Sequence, residues 1–294
     1  MKPNLLKHAS RTGTRLVLVN SKATDFKPKG FRLMPDVTRR TLKLFSEFYA
    51  INEKAAHQLN RMGIAPNRIR LKGALQRAAP IQLPPHNLPE KLLSAFTSRT
   101  IWLAACVSEA EAGIALSAHQ IIMRHDHRSI LIIVAKREQD QLSIQKKVQK
   151  SGVRVAFGRS SDFPDPMTQV FVAASPADLC AYYSLAPVVF LGQTLAATSI
   201  GLDPYLPAAF GCALLFGPKI SSHVERYTLL NRCGAARVID NATELANAVN
   251  NITNPETCAK MAYSAWEMIS EGAELTDTLI EKIISHFDNL DRHA

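Results

Sequence analysis

The sequence lacks any run of roughly 18 apolar residues, the length that a membrane-spanning helix needs. Its N-terminal stretch, MKPNLLKHASRTGTR, contains no apolar core, so a secretory signal peptide is not indicated. The five cysteines are scattered without a Cys-x-x-Cys pair, which argues against a disulfide framework and a zinc site. We therefore expect buried thiols in a reducing cytoplasm.

Histidines and aromatic residues are arranged in ways that exclude further classes of site. The nine histidines form no His-x-x-x-His or His-Glu-x-x-His pattern, so we expect no metal site and no cofactor. The basic segments contain no interleaved aromatic motif of the kind that binds RNA or DNA. Nucleic acid is therefore not an expected partner.

Acidic residues are scarce in the first quarter of the chain. Residues 1–77 hold 17 Lys and Arg against 4 Asp and Glu, a net charge of +13, whereas the remainder holds 18 against 21, a net of −3. This asymmetry favours an anionic partner, either a phosphorylated lipid or a membrane surface. A solvated basic face without a specific ligand is the alternative.

Short runs rich in Val, Ile and Leu alternate with helical segments along most of the chain. Such runs, apolar on both faces, are typical of a parallel sheet that is covered on both sides. The predicted strands are 15–20, 48–52, 68–73, 100–106, 129–135, 153–158, 169–174, 187–192, 213–218 and 235–240. The sequence predicts an α/β protein of doubly wound type.

Helix starts are marked by capping patterns. Ser108 and Glu111 form a capping-box pattern, and Ser175, Asp203, Asn241 and Asn254 are further cap candidates. Residues 242–288 are predicted to be helical, with breaks near 251–255 and at 271–272.

Prolines crowd into residues 73–89 without periodicity, which predicts a linker at 81–89. Residues 1–80 then form a partial N-terminal α/β domain with only about three strands. Residues 90–294 form a second, complete α/β domain. A sheet as small as the first has bare edges, so it represents half of a domain.

Ligands of doubly wound sheets bind beyond the carboxyl ends of the strands, where free N–H groups of helix starts favour anions. Four loops of this kind occur in the second domain. In these loops, the candidate ligand-binding residues are Lys136, Arg137, Ser175, Ala177, Asp178 and Asp203. Additional candidates in or near the loops are Glu111, Arg159 and Thr194.

Each of these residues also has a structural interpretation. Lys136 and Arg137 could be surface charges at a helix start. Glu111 and Asp203 occupy positions typical of helix capping. Asp178 would interact favourably with a helix dipole as an acidic residue in a first turn, and Arg159 could belong to a turn after a strand. The residues by themselves leave both interpretations open.

The order of the motifs resembles that of the 3-deoxy-D-manno-octulosonic acid (Kdo) transferases, GT-B glycosyltransferases of lipopolysaccharide synthesis. The similarity runs from Pro3-Asn4-Leu5 to the C-terminal helices. The family's W-x-A-x-S-T-H-x-G-E-E pattern is matched by residues 102–111, and its P-R-H-P pattern by 135–138. Further matches are R-x-S at 159–161, D-T-x-G-E-L at 174–179, F-V-G-G-S-L at 190–195, G-G-H-N-P-L-E-P at 200–207 and G-P at 217–218.

The resemblance implies a GT-B-like fold and a cytidine monophosphate (CMP)-Kdo donor in the C-terminal domain. It implies a lipid A precursor as acceptor on the N-terminal side, at the cytoplasmic face of the inner membrane. Lys136 keeps a charge where the family's arginine holds the donor phosphate. Leu206 stands where the family's glutamate holds the ribose, and it cannot accept a hydrogen bond.

The family also carries a membrane anchor and a Gly-Glu motif, whose glutamate is the catalytic base, upstream of the region that matches residue 3. We therefore assign no catalytic residue, and we expect an upstream segment or a partner chain to supply the missing N-terminal half. Three hypotheses follow: an active transferase, a non-catalytic relative that binds or scaffolds, and a decayed gene product.

Overall fold

The computed structural model describes residues 2–21, 35–71, 90–158, 164–195 and 201–291. The chain forms two compact units, the first comprising Met1–Ala78 with Ile269–Ala294 and the second comprising Ala79–Met268. Residues 269–294, predicted from the sequence to lie in the second domain, thus belong to the first unit. The linker predicted at 81–89 lies outside the described residues.

The first unit contains a small parallel sheet. Its described strands pair in the order β1-β2-β3, with bounds β1 Val17–Ser21, β2 Glu47–Ala50 and β3 Ile69–Leu71. In the described N-terminal part of this unit, the α-helices are α1 Pro3–Arg11, α2 Pro35–Lys43 and α3 Glu53–Arg61. The core of the unit is formed by Leu42, Phe45, Phe48, Leu59 and Ile64. The prediction of a partial α/β domain with three strands agrees with this sheet.

The second unit contains a parallel sheet of seven described strands in the order β10-β9-β8-β4-β5-β7-β6. The strands are β4 Thr100–Val107, β5 Ser129–Ala135, β6 Val155–Phe157, β7 Val170–Val172, β8 Val188–Leu191, β9 Ala213–Phe216 and β10 Ala236–Val238. Every residue of β5, β7, β8 and β9 is buried. The continuous apolar runs of the sequence reflect this burial on both faces.

Helices alternate with the strands of the seven-stranded sheet, and two described helices follow its last strand. They are α4 Glu90–Phe96, α5 Glu109–Ile122, α6 Glu138–Lys150, α7 Leu179–Leu185, α8 Tyr205–Ala209, α9 Val224–Arg232, α10 Ala242–Ile252 and α11 Pro255–Asp291. The structure confirms an α/β protein with a Rossmann-like domain. No described helix is both long and apolar enough to cross a membrane.

Most predicted helix starts are confirmed, with small shifts. Ser108 and Glu111 form a full capping box, and Asn241 accepts a hydrogen bond from the N–H of Glu244 at 2.9 Å. Ser175 caps a 3-10 turn over Pro176–Asp178 that leads into α7. Asp203 accepts from the N–H of Tyr205 at 3.1 Å, so α8 begins after Pro204.

The C-terminal helices break at one predicted place and not at the other. The chain leaves α10 at Thr253 and starts α11 at Pro255, as predicted. The break predicted at 271–272 is wrong, because α11 continues through Gly272 to Asp291. One glycine costs a helix interior only about 1 kcal/mol relative to alanine, too little to end a helix whose flanks are strong helix formers.

Candidate functional site

The strand order creates a switch point at β4. This strand lies between β5 and β8. The connection that leaves β4 runs toward β5, whereas the connection that leaves β8 runs toward β9, so the two diverge at the carboxyl edge of the sheet. Parallel sheets of this type bind ligands in such a crevice. The edge carries Ser108 after β4, Lys136 after β5 and the turn 192–195 after β8. The candidate residues near 175 and 203 follow β7 and precede α8, at the same edge.

Glu111 is completely buried at the start of α5. Its Oε2 atom accepts from the Ser108 N–H at 3.1 Å, the Ser108 hydroxyl at 3.0 Å and the Gln193 N–H at 2.8 Å. Its Oε1 atom accepts from the N–H groups of Thr194 and Leu195, at 3.0 Å and 3.1 Å. The carboxylate therefore joins the start of α5 to three successive N–H groups after β8. Its hydrogen bonds describe a structural anchor instead of an exposed base.

Thr194 extends this connection to β9. Its hydroxyl donates to the Leu191 carbonyl oxygen at 2.6 Å and accepts from the Gly217 N–H at 2.7 Å. Its own carbonyl oxygen accepts from the Lys219 N–H at 2.9 Å. The ends of β8 and β9 are thus joined through one buried side chain.

Close backbone approach at this edge depends on two glycines. A Cβ atom at Gly192 would lie 2.5 Å from the carbonyl oxygen of Cys106, and one at Gly217 would overlap the carbonyl oxygen of Thr194. Beside them, Cys106 and Gln193 have φ angles of 53° and 63°, in the left-handed region that non-glycine residues rarely adopt. The ends of β4 and β8 thus both contain unusual backbone geometry.

Lys136 lies next to the end of β4. Its N–H donates to the Val107 carbonyl oxygen at 3.0 Å, which keeps the ends of β4 and β5 together. Burial raises the pKa of the Cys106 thiol to about 11, and the positive charge of Lys136 opposes that rise. The half-buried Lys136 side chain thus brings positive charge to the switch point.

The Arg137 side chain forms an ion pair with a residue of its own helix, Asp140. Its side chain is 59% exposed, and its Nε and Nη2 atoms donate to the two carboxylate oxygens of Asp140 at 3.0 Å and 3.1 Å. Hydrogen bonding to Asp140 raises the pKa of the Arg137 guanidinium. The guanidinium is therefore hydrogen-bonded within the first turn of α6.

The candidates after β7 lie in the 3-10 turn. The hydroxyl of Ser175 accepts from the Ala177 N–H at 3.1 Å, and the Asp178 N–H faces the Ser175 carbonyl oxygen at 3.4 Å. Asp178 makes no side-chain cap for α7. The Ser175 hydroxyl and the Ala177 N–H are thus hydrogen-bonded to each other. The Asp178 side chain is half-buried at the start of α7.

Asp203 is held by an arginine that the sequence motifs did not identify. Its Oδ2 atom forms an ion pair with the Arg226 guanidinium, and that guanidinium lies 4.6 Å from the centre of the Tyr205 ring. The hydroxyl of Tyr227 donates to the Leu202 carbonyl oxygen at 2.7 Å and ties the same loop to α9. No sequence motif identifies Arg226. Only its position in the helix that follows β9 could have indicated that it lies near this edge.

The remaining candidate residues add little to the description of the site. Arg159 lies outside the described residues. Leu206 is half-buried on α8. Within the described ranges, no group of three or more His, Cys, Asp or Glu side chains could hold a metal ion.

Comparison with known proteins defines the class of protein first. The structure is similar to that of the C-terminal CMP-Kdo binding domain of WaaA from Acinetobacter baumannii, with a TM-score of 0.56 and 16% sequence identity. The similarity covers 60% of this chain and 97% of that domain. The fold of this part of the chain is therefore GT-B-like.

Sequence matches point to one family of proteins. The family model of the 3-deoxy-D-manno-octulosonic-acid transferases (kdotransferases) matches residues 2–79. A probable mitochondrial enzyme of that name from Arabidopsis thaliana is 25% identical over 160 residues, 53% of this chain and 36% of the relative. The Haemophilus influenzae enzyme is 22% identical over 185 residues, 62% of this chain and 43% of the relative. These matches support the Kdo transferase family for this chain, which spans less than half the length of either relative.

Proposed function

We propose that the chain acts as a Kdo-transferase-like glycosyltransferase that moves Kdo from CMP-Kdo to a lipid A precursor. The observation that carries the proposal is the ordered carboxyl edge of the seven-stranded sheet, with Lys136 at its switch point. The matched structure is a domain described as binding CMP-Kdo, which supports the same donor. Both curated relatives are named as transferases of this sugar.

In the proposed reaction, the bond between the sugar and the donor phosphate breaks, and CMP departs with its negative charge. A cation close to that charge lowers the barrier, because it stabilises charge that develops as the bond breaks. Lys136 is suited to this role, since it follows β5 at the carboxyl edge and its positive charge acts on Cys106 at the end of β4. The 3-10 turn at 175–178 and Asp203 complete the proposed donor surface.

The acceptor side of the proposal depends on the first unit. Its described surface carries exposed basic side chains, among them Lys2, Lys7, Arg11, Arg39 and Lys43. Phosphate groups of a lipid A precursor and an anionic inner-membrane surface are partners that such a surface attracts. We therefore propose a peripheral position at the cytoplasmic face of that membrane.

The catalytic base stays unassigned. In the described part of the first unit, the Glu47 carboxylate is paired with Arg15 at 2.8 Å and with Lys282 at 2.9 Å. These partners hold the pKa of Glu47 below its usual value, chiefly through the hydrogen bond from Lys282, and a weaker base results.

A specific observation favours a second candidate function, a non-catalytic relative that binds without transferring. Leu206 stands at the position where the resemblance implies a ribose-binding glutamate, and a leucine offers the ribose hydroxyls no acceptor. Such a loss typically costs about 1–3 kcal/mol of binding free energy.

Calorimetric titration with CMP tests the donor site. We expect measurable binding, and we expect Lys136→Ala to weaken it roughly tenfold, the equivalent of about 1.4 kcal/mol. Lys150→Ala is the matched control, because Lys150 is exposed at the far end of α6 from this edge. Absence of heat at millimolar CMP would rule out the proposed donor site.

A transfer assay then separates the two functions. The chain is incubated with CMP-Kdo, a lipid A precursor and the lysate of a strain that lacks its own Kdo transferase. Formation of a Kdo-modified lipid that depends on this chain supports the transferase. Binding of CMP without any transfer supports the non-catalytic relative.

A further inference from the structure

The Glu111 carboxylate is buried at the candidate donor edge and is surrounded by hydrogen-bond donors. Moving an ionised carboxylate out of water is costly unless hydrogen bonds from protein donors replace its hydration. Here the Ser108 N–H and hydroxyl, and the N–H groups of Gln193, Thr194 and Leu195, supply those bonds. The start of α5 adds its positive dipole end. The site is therefore built for a negative charge.

The three N–H groups after β8 need such an acceptor as much as the carboxylate needs donors. Successive N–H groups that converge on one point form a concave anion site. In this chain, an anion of the protein itself occupies that position. A glutamine would bring only one acceptor oxygen and would turn an N–H₂ donor toward other donors.

The effect of Glu111 continues beyond the turn that it touches. Glu111 accepts the N–H of Thr194, and Thr194 in turn holds the Gly217 N–H at 2.7 Å and the Lys219 N–H at 2.9 Å. A shift of Thr194 therefore moves the turn at 217–219 as well. The ends of β4, β8 and β9 are coupled through one carboxylate and one hydroxyl.

We propose that Glu111 is the positioning residue of the donor edge: its carboxylate is a built-in anion that holds the turns at 193–195 and 217–219 in the shape that the donor meets. The proposal rests on the proposed function for the identity of the donor. The positioning itself is measurable without any nucleotide.

Amide hydrogen exchange of the full chain is the first test. Glu111→Gln is expected to speed exchange roughly tenfold in peptides that cover 192–195 and 217–219, because their N–H bonds open more readily. Glu109→Gln is the matched control, since Glu109 is exposed in the same first turn of α5. Exchange at these turns that is equal in Glu111→Gln and the unchanged chain would overturn the proposal.

Chemical rescue separates positioning from mere space filling. In Glu111→Ala, added sodium formate is expected to raise the melting temperature by a few degrees and to slow exchange at 193–195, since formate offers the missing carboxylate. Sodium chloride at equal ionic strength should do neither. An identical response to the two salts contradicts a role for the charge of Glu111.

The Thr194 pair provides a second route if Glu111 variants do not fold. Thr194→Val removes the acceptor of the Gly217 N–H, whereas Thr194→Ser keeps a hydroxyl in place. Exchange at 217–219 should rise in the valine variant and stay near normal in the serine variant. Equal exchange in both variants would break the proposed coupling.

The nucleotide measurement completes the test. Glu111→Gln is expected to bind CMP roughly tenfold more weakly, and formate should restore part of the affinity of Glu111→Ala. If the unchanged chain binds no CMP, the proposed function fails, while the exchange results still decide the positioning role. If CMP affinity is unchanged in Glu111→Gln although exchange rises, the turns are not part of the donor edge.

Discussion

The indole N–H of Trp102 donates to Nδ1 of His119 at 3.1 Å, and both side chains are completely buried. Because the indole nitrogen is a donor only, Nδ1 of His119 is the acceptor and Nε2 carries the proton. That proton is directed at the Gln169 carbonyl oxygen, 2.9 Å away. The imidazole is thus held neutral between β4 and the segment before β7.

This arrangement predicts loss of stability in mild acid. Burial lowers the pKa of His119 to about 4, below the ordinary value of 6.5. The unfolded chain therefore binds a proton at a higher pH than the folded chain does. The free energy of unfolding should be fully retained above about pH 7 and fall between about pH 6.5 and pH 4, by about 3 kcal/mol in total from this group.

Urea unfolding at a series of pH values checks this prediction. His119→Gln should lower stability at neutral pH and make the pH dependence between 4 and 6.5 shallower by about one proton. His125→Gln is the control, because His125 is exposed. Parallel pH curves for His119→Gln and the unchanged chain would show that His119 does not cause the acid sensitivity.

Gly217→Ala should destabilise the second unit by about 1–3 kcal/mol, because the new methyl group meets the backbone of Thr194 and must displace it. Gly113→Ala is the contrasting control. A Cβ atom there meets the flexible end of Lys147, and alanine is favoured over glycine within α5. Thermal unfolding should give a lower melting temperature for the first variant and an equal or higher one for the second; the reverse order contradicts the close approach of the two turns.

The C-terminal segment of α11 should contribute to the stability of the first unit. Lys282 donates to Glu47 at 2.9 Å and lies 5.6 Å from the centre of the Tyr49 ring, while Leu279 packs with Tyr49. Because the ion pair is half exposed, a double-mutant cycle with Lys282→Ala and Glu47→Gln should give a coupling of only about 0.5–1 kcal/mol. Lys260→Ala, exposed on the same helix, should show no coupling to Glu47.

The basic first unit should bind anionic vesicles in a salt-sensitive way. Cosedimentation with vesicles that contain phosphatidylglycerol should decrease as salt rises above about 0.1 M, where charges are screened over about 10 Å. The double change Lys7→Glu and Arg11→Glu should weaken binding by more than roughly tenfold, since each cation near such a surface contributes about 1 kcal/mol. Lys150→Glu in the second unit is the control. Binding that is indifferent to both salt and charge reversal would refute the prediction.

Local patterns in the amino-acid sequence were enough to define the elements of this protein. Each of the ten predicted runs overlaps a strand in the described part of the chain. The runs of β5, β7, β8 and β9 are almost wholly apolar because both faces of these strands are buried. Ser108 and Asn241 marked helix starts because capping is a contact between residues only a few positions apart. The family could likewise be inferred from the order of the motifs along the chain.

The contacts of the site residues, by contrast, were set by the three-dimensional arrangement. Glu111 fitted a capping box in the sequence, yet its carboxylate also binds Thr194, 83 positions away. Asp203 fitted a cap, yet it pairs with Arg226 of α9. Residues 269–294 joined the first unit although the sequence continues directly from the second. These contacts depend on how the strands are ordered across the sheet, and local periodicity and capping carry no record of that order.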